Sequence, residues 1–323
     1  MPKMRSPGAV RLLVRNGALD PNDAAQEAVD RAWGLRFEDA RGMLAWCELA
    51  VELATKEDTK ILAHAHLANA HRVNGNFLEA RRHLRLAEEL SSEPDVLLLE
   101  FRASLDESMG FFEEAARCLE TASRLRAQSG DVDGQAKVLT LSGRVLAEAN
   151  RHTEAVAMFR AALETVESDH DVFRSAVHGL ARSLAGSGQP AKALGVLKEA
   201  EPVLENGECL FRLKVSWLLG RIAMQCDAAD LAATKLEEAL EGYSAAGLPY
   251  ETCLVTLDLA RNDSQRGRVE SALRLLWPVP DQLTRLAVPL HAEAASAMKL
   301  LSAGQVESAL AVLEKIMAAL ERA

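Results

Sequence analysis

Apolar and small residues recur along this chain in one order. A glycine or polar residue is followed two positions on by an apolar residue or proline, three further by an alanine, then by leucine or phenylalanine and a second small residue. The order reads Gly75-Phe77-Ala80-Leu84-Ala87, Gly110-Phe112-Ala115-Leu119-Ala122, Asn150-His152-Ala155-Phe159-Ala162, Gly188-Pro190-Ala193-Leu197-Ala200 and Asp227-Ala229-Ala232-Leu236-Ala239. Gly267-Val269-Ala272-Leu276-Val279 and Gly304-Val306-Ala309-Leu313-Ile316 follow it more loosely, and Leu35-Phe37-Ala40-Leu44-Cys47 begins it. The anchors Ala40, Ala80, Ala115, Ala155, Ala193, Ala232, Ala272 and Ala309 lie 40, 35, 40, 38, 39, 40 and 37 residues apart. Eight units of one design therefore tile residues 21–323 behind a lead segment, residues 1–20.

Twelve positions before each anchor stands another small residue: Ala28, Ala68, Ala103, Gly143, Ala181, Gly220, Ala260 and Ala297. Apolar residues surround it at helical spacing, as Leu139 and Leu146 do around Gly143. Each unit is thus two antiparallel helices, A and B, with the small residues where their backbones come closest. The pattern predicts helices near 21–33 and 37–54, 57–74 and 77–90, 94–109 and 112–129, 132–148 and 152–167, and 171–186 and 190–205. The remaining pairs fall near 208–225 and 229–244, 249–265 and 268–286, and 288–302 and 305–321. Asn22, Asp131 and Asp171 are candidate caps, and residues 1–20 form a short helix around Val10 to Val14 or stay loose. Trp277-Pro278-Val279-Pro280 interrupts the seventh B helix: either a tolerated kink or a device that exposes Trp277 to a partner.

Composition supports an all-α chain. Among 323 residues there are 19 Gly and 10 Pro, and aromatics make up 4%, so the core is built from Leu, Ala and Val. The net charge of −10 opposes a nucleic-acid or anionic-membrane binder as the overall character. Five scattered cysteines without a CxxC suit a reducing compartment, and no apolar run approaches membrane-spanning length, so a cytoplasmic protein is expected. No phosphate loop, dinucleotide fingerprint, zinc-protease motif or nucleophile elbow occurs, so no catalytic residue, cofactor or metal is assigned. His64, His66 and His71 invite a metal reading, but a third ligand on one face is missing and core histidines fit better.

The repeated residues resemble the tetratricopeptide repeat family. Ala68, Gly75, Phe77, Ala80, Leu84 and Ala87 fill the family's small, Gly, aromatic, Ala, large apolar and Ala positions, and Ala103, Gly110, Phe112, Ala115, Leu119 and Ala122 fill them again. The family's Trp, Tyr and Pro positions are mostly unmatched, and the units are longer than usual. That length is similar to the long-repeat members: peptide-sensing bacterial regulators, sensor arms of ATP-dependent transcription activators, spindle-orientation scaffolds and repeat subunits that partner caspase-like proteases. The resemblance implies a right-handed α-solenoid that binds polypeptides or small effectors and is not catalytic through its repeats.

It further implies a binding groove lined by one face of the A helices. One groove position reads Asn69, Ser104, Arg144, Arg182, Arg221, Arg261 and Met298 along the chain, with Arg in four consecutive units. Neighbouring positions add Arg72, Lys137, Lys214, His178 and Trp217. Over units four to seven the A segments carry a slight positive excess and the B segments a negative one. Arg grips carboxylates as a planar fork, so this row suits an acidic or C-terminal peptide segment with Trp217 as an apolar anchor. The competing reading is local pairing, Arg144 with Glu148 and Arg261 with Asp258. In units two and three Asn69 and Arg72 face Glu100 and Glu107; Asn69 matches a carboxylate-clamp position, but Ala65 and Phe101 do not complete one.

The expected function is a non-catalytic protein-interaction adaptor or regulatory subunit, whose partner is another protein or peptide rather than a membrane or nucleic acid, with control of an effector such as a protease. The first alternative is a sensor of a small molecule or short signalling peptide acting through a separate output protein, since residues 1–20 leave no room for an output domain. The second is an RNA-binding helical repeat.

Overall fold

Among the described residues, seven turns that join an A helix to its B helix share one backbone device. Gly75, Gly110, Gly188, Gly267 and Gly304 have φ between 70 and 79°, and Asn150 and Asp227 take the same left-handed conformation at 59 and 55°. Glycine adopts it without a Cβ penalty, and Asn and Asp tolerate it best among the rest. The residue that follows then donates its N–H five residues back: Asn76 to His71 O at 2.8 Å, Arg151 to Leu146 O at 2.8 Å and Ala228 to Ala223 O at 2.9 Å. That bond satisfies an orphan carbonyl of the finished helix and reverses the chain.

The computed structural model describes residues 6–36, 39–166, 171–286 and 288–320, all-α with no strand among them. Two compact units, Met1–Thr165 and Val166–Ala323, divide the chain. The first holds α1 (Pro7–Arg15) and the hairpins α2 (Pro21–Gly34) with α3 (Ala40–Leu53), α4 (Glu57–Val73) with α5 (Phe77–Leu90), α6 (Val96–Ser108) with α7 (Phe112–Ser129), and α8 (Val132–Glu148) with α9 (His152–Thr165). Each hairpin packs on the next through α3 and α4, α5 and α6, and α7 and α8. Consecutive hairpins stacked in this way are an α-solenoid.

Lead helix α1 forms and packs on α2 and α3, burying Val10 completely. Asn22 is not a cap. Asp20 accepts from Asn22 N at 2.8 Å and Asp23 N at 3.2 Å, while Asn22 Oδ1 accepts from the backbone of Thr55 and Lys56, both at 2.9 Å, and so ties α2 to the α3–α4 turn. Asp131 does cap, accepting from Gly134 N at 2.8 Å, whereas Asp171 is the first residue of its helix. The first repeat also sits in a different register from the pattern. Because α3 starts at Ala40, that residue is only half-buried and Met43, Cys47 and Ala50, all 0% exposed, fill the places held by Ala80, Leu84 and Ala87 in the next unit; Phe37 lies outside the described residues.

The second unit holds α10 (Asp171–Gly186), α11 (Pro190–Glu199), α12 (Glu201–Leu204), α13 (Cys209–Gln225), α14 (Ala229–Ala245), α15 (Pro249–Gln265), α16 (Val269–Leu276), α17 (Val279–Arg285), α18 (His291–Ser302) and α19 (Val306–Leu320). Two expected B helices are broken. Pro202 ends the continuity of α11 and α12, and Pro278 that of α16 and α17, since each lacks an N–H and crowds the carbonyl four residues earlier. Trp277 at the second break is 77% exposed. The last hairpin departs from simple tiling: α19 packs against α15, and Tyr250 Oη donates to Leu320 O at 2.6 Å. With Val255 and Leu259 packed among residues of α13 and α14, and Leu254 and Leu257 among residues of α19, nearly every residue from Cys253 to Ser264 is buried.

Helices meet closest at the small residues. A Cβ on Gly143 would lie 2.8 Å from Phe159 Cζ, and one on Gly220 would lie 2.7 Å from Leu236 Cγ. Elsewhere in the core Ser183 is 0% and Tyr243 1% exposed, and neither side-chain oxygen has a hydrogen-bond partner among the described residues. A buried hydroxyl without a partner costs about 1–3 kcal/mol. Tyr243→Phe, which keeps the edge-on contact with Trp217, is therefore expected to raise stability by up to about 1 kcal/mol in chemical denaturation, and a loss of that size would show that the hydroxyl is paired.

Candidate partner-binding face

In the N-terminal unit the face is made by α4, α6 and α8. Arg72 on α4 donates from Nε and Nη2 to Asn69 Oδ1 at 3.0 and 2.9 Å, and from Nη1 to Ser108 Oγ on α6 at 3.3 Å. Arg144 on α8 grips Glu107 on α6 through Nε at 2.8 Å and Nη2 at 2.6 Å. Arg72 stands in the field of both: burial, then Arg144, lowers its pKa, and Glu107 opposes them. Two turns earlier on α6, Glu100 is 2% exposed and takes Lys137 from α8 and Arg126 from α7, the latter at 3.2 Å. Two cations from different helices thus close on this buried side chain.

Beside this network lies an aromatic contact across three hairpins. His66 on α4, 8% exposed, meets Trp33 on α2 edge-on at 5.6 Å and Phe101 on α6 edge-on at 5.2 Å, and Trp33 and Phe101 are 6.3 Å apart. Trp33 keeps 37% of its surface exposed, with the Arg36 guanidinium 4.7 Å from its ring centre. Burial pushes His66 down to about 4, so its imidazole is neutral. His64 and His71 lie apart from it, stacked on His83 of α5 at 5.1 and 5.5 Å, with His64 Nδ1 and His83 Nδ1 2.9 Å apart. Among the described residues no group of three His, Cys, Asp or Glu side chains is placed to hold a metal.

In the C-terminal unit the corresponding residues belong to α10, α13 and α15. Asp258 is 0% exposed; its Oδ2 accepts from Trp217 Nε1 at 2.8 Å and lies 3.6 Å from Arg221 Nε. Arg221 also stands 6.0 Å above the Trp217 ring. His178 on α10 is pushed down to about 4 by burial and by the charges of Arg182 and Lys214. Arg261 shares α15 with Asp258, yet Asp258 binds Trp217 and Arg221; the Arg261 Nε is buried without a hydrogen-bond partner. With Leu254, Leu257 and Ser264 buried around it, the face of α15 is not an open wall.

The structure thus brings Asn69, Arg72, Lys137 and Arg144 together in one unit and Trp217 and Arg221 in the other. The local pairs expected within one helix are replaced by pairs one repeat apart: Arg144 with Glu107 rather than Glu148, and Arg221 rather than Arg261 with Asp258. Trp33, His66 and Phe101 were missed as a group. Their signal in the sequence is weak, because nothing local says that residues about 35 apart meet.

A family model for the tetratricopeptide repeat matches residues 93–168. Two hairpins, α6 with α7 and α8 with α9, lie within that match. No curated protein matches the sequence. Among solved structures, the repeat chain is similar to a Rap protein complexed with competence and sporulation factor, with a TM-score of 0.67 and 12% identity over 93% of this chain and 88% of that one. It is also similar to aspartyl phosphate phosphatase F from Bacillus subtilis, with a TM-score of 0.60 and 11% identity over 92% and 84%. A third likeness is to a signal transduction ATPase with numerous domains and a tetratricopeptide repeat sensor from Pyrococcus horikoshii, with a TM-score of 0.66 and 15% identity over 86% of this chain and 42% of that one. At these identities the likeness is one of fold. No helix among the described residues is long and apolar enough to cross a membrane.

Proposed function

We propose that this repeat chain is a non-catalytic adaptor or regulatory subunit that holds an acidic or C-terminal segment of a partner polypeptide against its A helices, and through it controls an effector such as a protease. The observation that carries this reading is the return of arginine to one register place, Arg144, Arg182, Arg221 and Arg261, with Trp217 beside one of them. Ion pairing does not exhaust such a residue. A guanidinium has five N–H donors, and Arg144, 45% exposed, commits only Nε and Nη2 to Glu107. Lys214 and His178 belong with the arginines of the C-terminal unit, and Asn69, Arg72 and Lys137 belong with Arg144 in the N-terminal unit. The net charge of −10 disfavours a polyanion such as RNA.

Affinity capture from extract with mass spectrometry tests it. Arg144→Ala with Arg182→Ala, and separately Arg221→Ala with Arg261→Ala, are expected to reduce capture of the same partner by about tenfold. Unchanged capture by both pairs overturns the groove role. A sensor of a small molecule or short peptide is the second reading, favoured by the likeness in fold to a chain solved with a bound factor and to a repeat sensor. A thermal shift produced only by the small-molecule fraction of extract would select it.

A further inference from the structure

Leu254, Leu257, Arg261 and Ser264 on α15 hold the register places that Lys214, Trp217, Arg221 and Met224 hold on α13, forty residues earlier. On α13, Lys214 is exposed and Trp217 and Arg221 are half-buried, whereas on α15 Leu254 is 6%, Leu257 0% and Ser264 1% exposed. The difference is α19. Its Leu313, Ile316, Met317 and Leu320 share one apolar core with Leu254 and Leu257, and Tyr250 Oη in the first turn of α15 donates to Leu320 O in its last turn at 2.6 Å. A helix of this chain thus lies against a stretch of wall that the repeat pattern leaves open.

Helix α19 is amphipathic. Leu313, Ile316, Met317 and Leu320 are buried at the i, i+3, i+4, i+7 spacing of one helix face, while Glu307, Glu314 and Lys315 are exposed and form no ion pair or side-chain hydrogen bond among the described residues. Apolar area and the Tyr250 bond hold it to α15. The fit has a fault. Arg261, one turn beyond Leu257 on the same face, has its Nε buried without a hydrogen-bond partner, and a buried donor that lacks an acceptor opposes the contact that buries it. An occupant with the same apolar stripe and a carboxylate within reach of Arg261 would match α15 better than α19 does. The turn into α19 is exposed and contains Gly304 at φ 74°, where the chain can swing without a Cβ penalty.

We propose that α19 is an autoinhibitory cover on α15, displaced by an acidic amphipathic helix of the partner. The incoming helix sets leucine-type side chains on Leu254 and Leu257 and a carboxylate on Arg261. This deepens the proposed function and rests on it for the acidity of the partner; the release of α19 does not depend on it. The contrasting role is a permanent cap that completes the core of the last repeats.

Amide hydrogen exchange of the full chain, followed by mass spectrometry, separates the two roles. Ile316→Glu is expected to speed exchange across α19 at least about tenfold and to leave α13, α14 and α15 protected. Tyr250→Phe, a milder change, is expected to speed α19 about fivefold, and Arg261→Leu to slow it about tenfold by removing the unpaired donor. A fluorescein-labelled peptide of residues 305–320 is expected to bind the I316E chain at least about tenfold more tightly than the parent, whose own α19 competes, and the same peptide with Ile316→Glu should not bind. The proposal is overturned if I316E leaves α19 protected or exposes α13 or α15 along with it, if Y250F leaves α19 exchange unchanged, if R261L fails to slow it, or if the peptide does not bind the I316E chain. Unchanged partner capture by both arginine pairs would overturn the groove reading and leave these exchange and peptide results as they are, so the two fail separately.

Discussion

Gly143→Leu is expected to destabilise the N-terminal unit by about 3 kcal/mol, read as a fall in the urea midpoint. The reason is already present at the first added atom: a Cβ there meets three ring carbons of Phe159 at 2.8, 2.9 and 2.9 Å. Phe159 is 2% exposed, so the ring has no free volume into which it can turn. Phe159→Ala alone is expected to cost about 3–5 kcal/mol through the cavity it leaves. In the G143L/F159A double variant the added side chain occupies part of that cavity, and the two losses are expected to fall short of their sum by about 2 kcal/mol. Strict additivity would mean that the two residues do not oppose each other across the α8–α9 seam. Gly220 and Leu236 repeat the arrangement in the C-terminal unit, where the Cβ would also meet Ala232 O at 3.3 Å.

Acid is expected to weaken the fold well before carboxylates protonate. Burial holds His66, His83 and His178 each at about 4, against an ordinary value of 6.5. Unfolding frees these imidazoles to take up protons below pH 6.5, while the folded chain excludes them until about pH 4. Stability contributed by their burial is therefore complete above pH 6.5 and is lost progressively as pH falls toward 4. For His66 alone the loss is roughly 3 kcal/mol across that window. His83 contributes less, because solvent screens it more. Asp20, Asp131, Glu154 and Glu238 are held below their ordinary values, so the stability they add is lost only as pH falls through the carboxylate range. Urea midpoints measured from pH 7.5 down to 4 should fall, and His66→Phe should flatten the curve while keeping the contacts to Trp33 and Phe101. A parallel curve for the variant would mean that His66 protonates freely in the folded chain.

Much of the fold was legible because each piece of it is decided within a few residues. Left-handed turns demand Gly, Asn or Asp, and all seven positions named in the pattern from Gly75 to Gly304 take that conformation. Close helix contacts demand Ala or Gly, and every anchor but Ala40 is completely buried. Ala40 failed because the length of the α2–α3 connection, not the spelling of the motif, decides where α3 begins. Of the candidate face, the sequence placed Arg144 and Arg221 on A helices, but the local pairs it offered, Arg144 with Glu148 and Arg261 with Asp258, lie within one helix, where a surface pair is worth little. The pairs seen in the structure join residues 37 apart, the distance of one repeat.

Helix pairs, their turns, their packed small residues and the row of arginines were thus set by the chain's own local chemistry, which repeats about every forty residues. Three matters were decided only in three dimensions. Which carboxylate meets each arginine depends on the offset between neighbouring hairpins. Whether Trp33 reaches Phe101 across His66 depends on how closely three hairpins stack. And the closing of α15 depends on α19 lying against it, a contact between residues as far apart as Tyr250 and Leu320. Each rests on packing between helices distant in sequence, where the favourable term is shared apolar area and no single residue announces its partner.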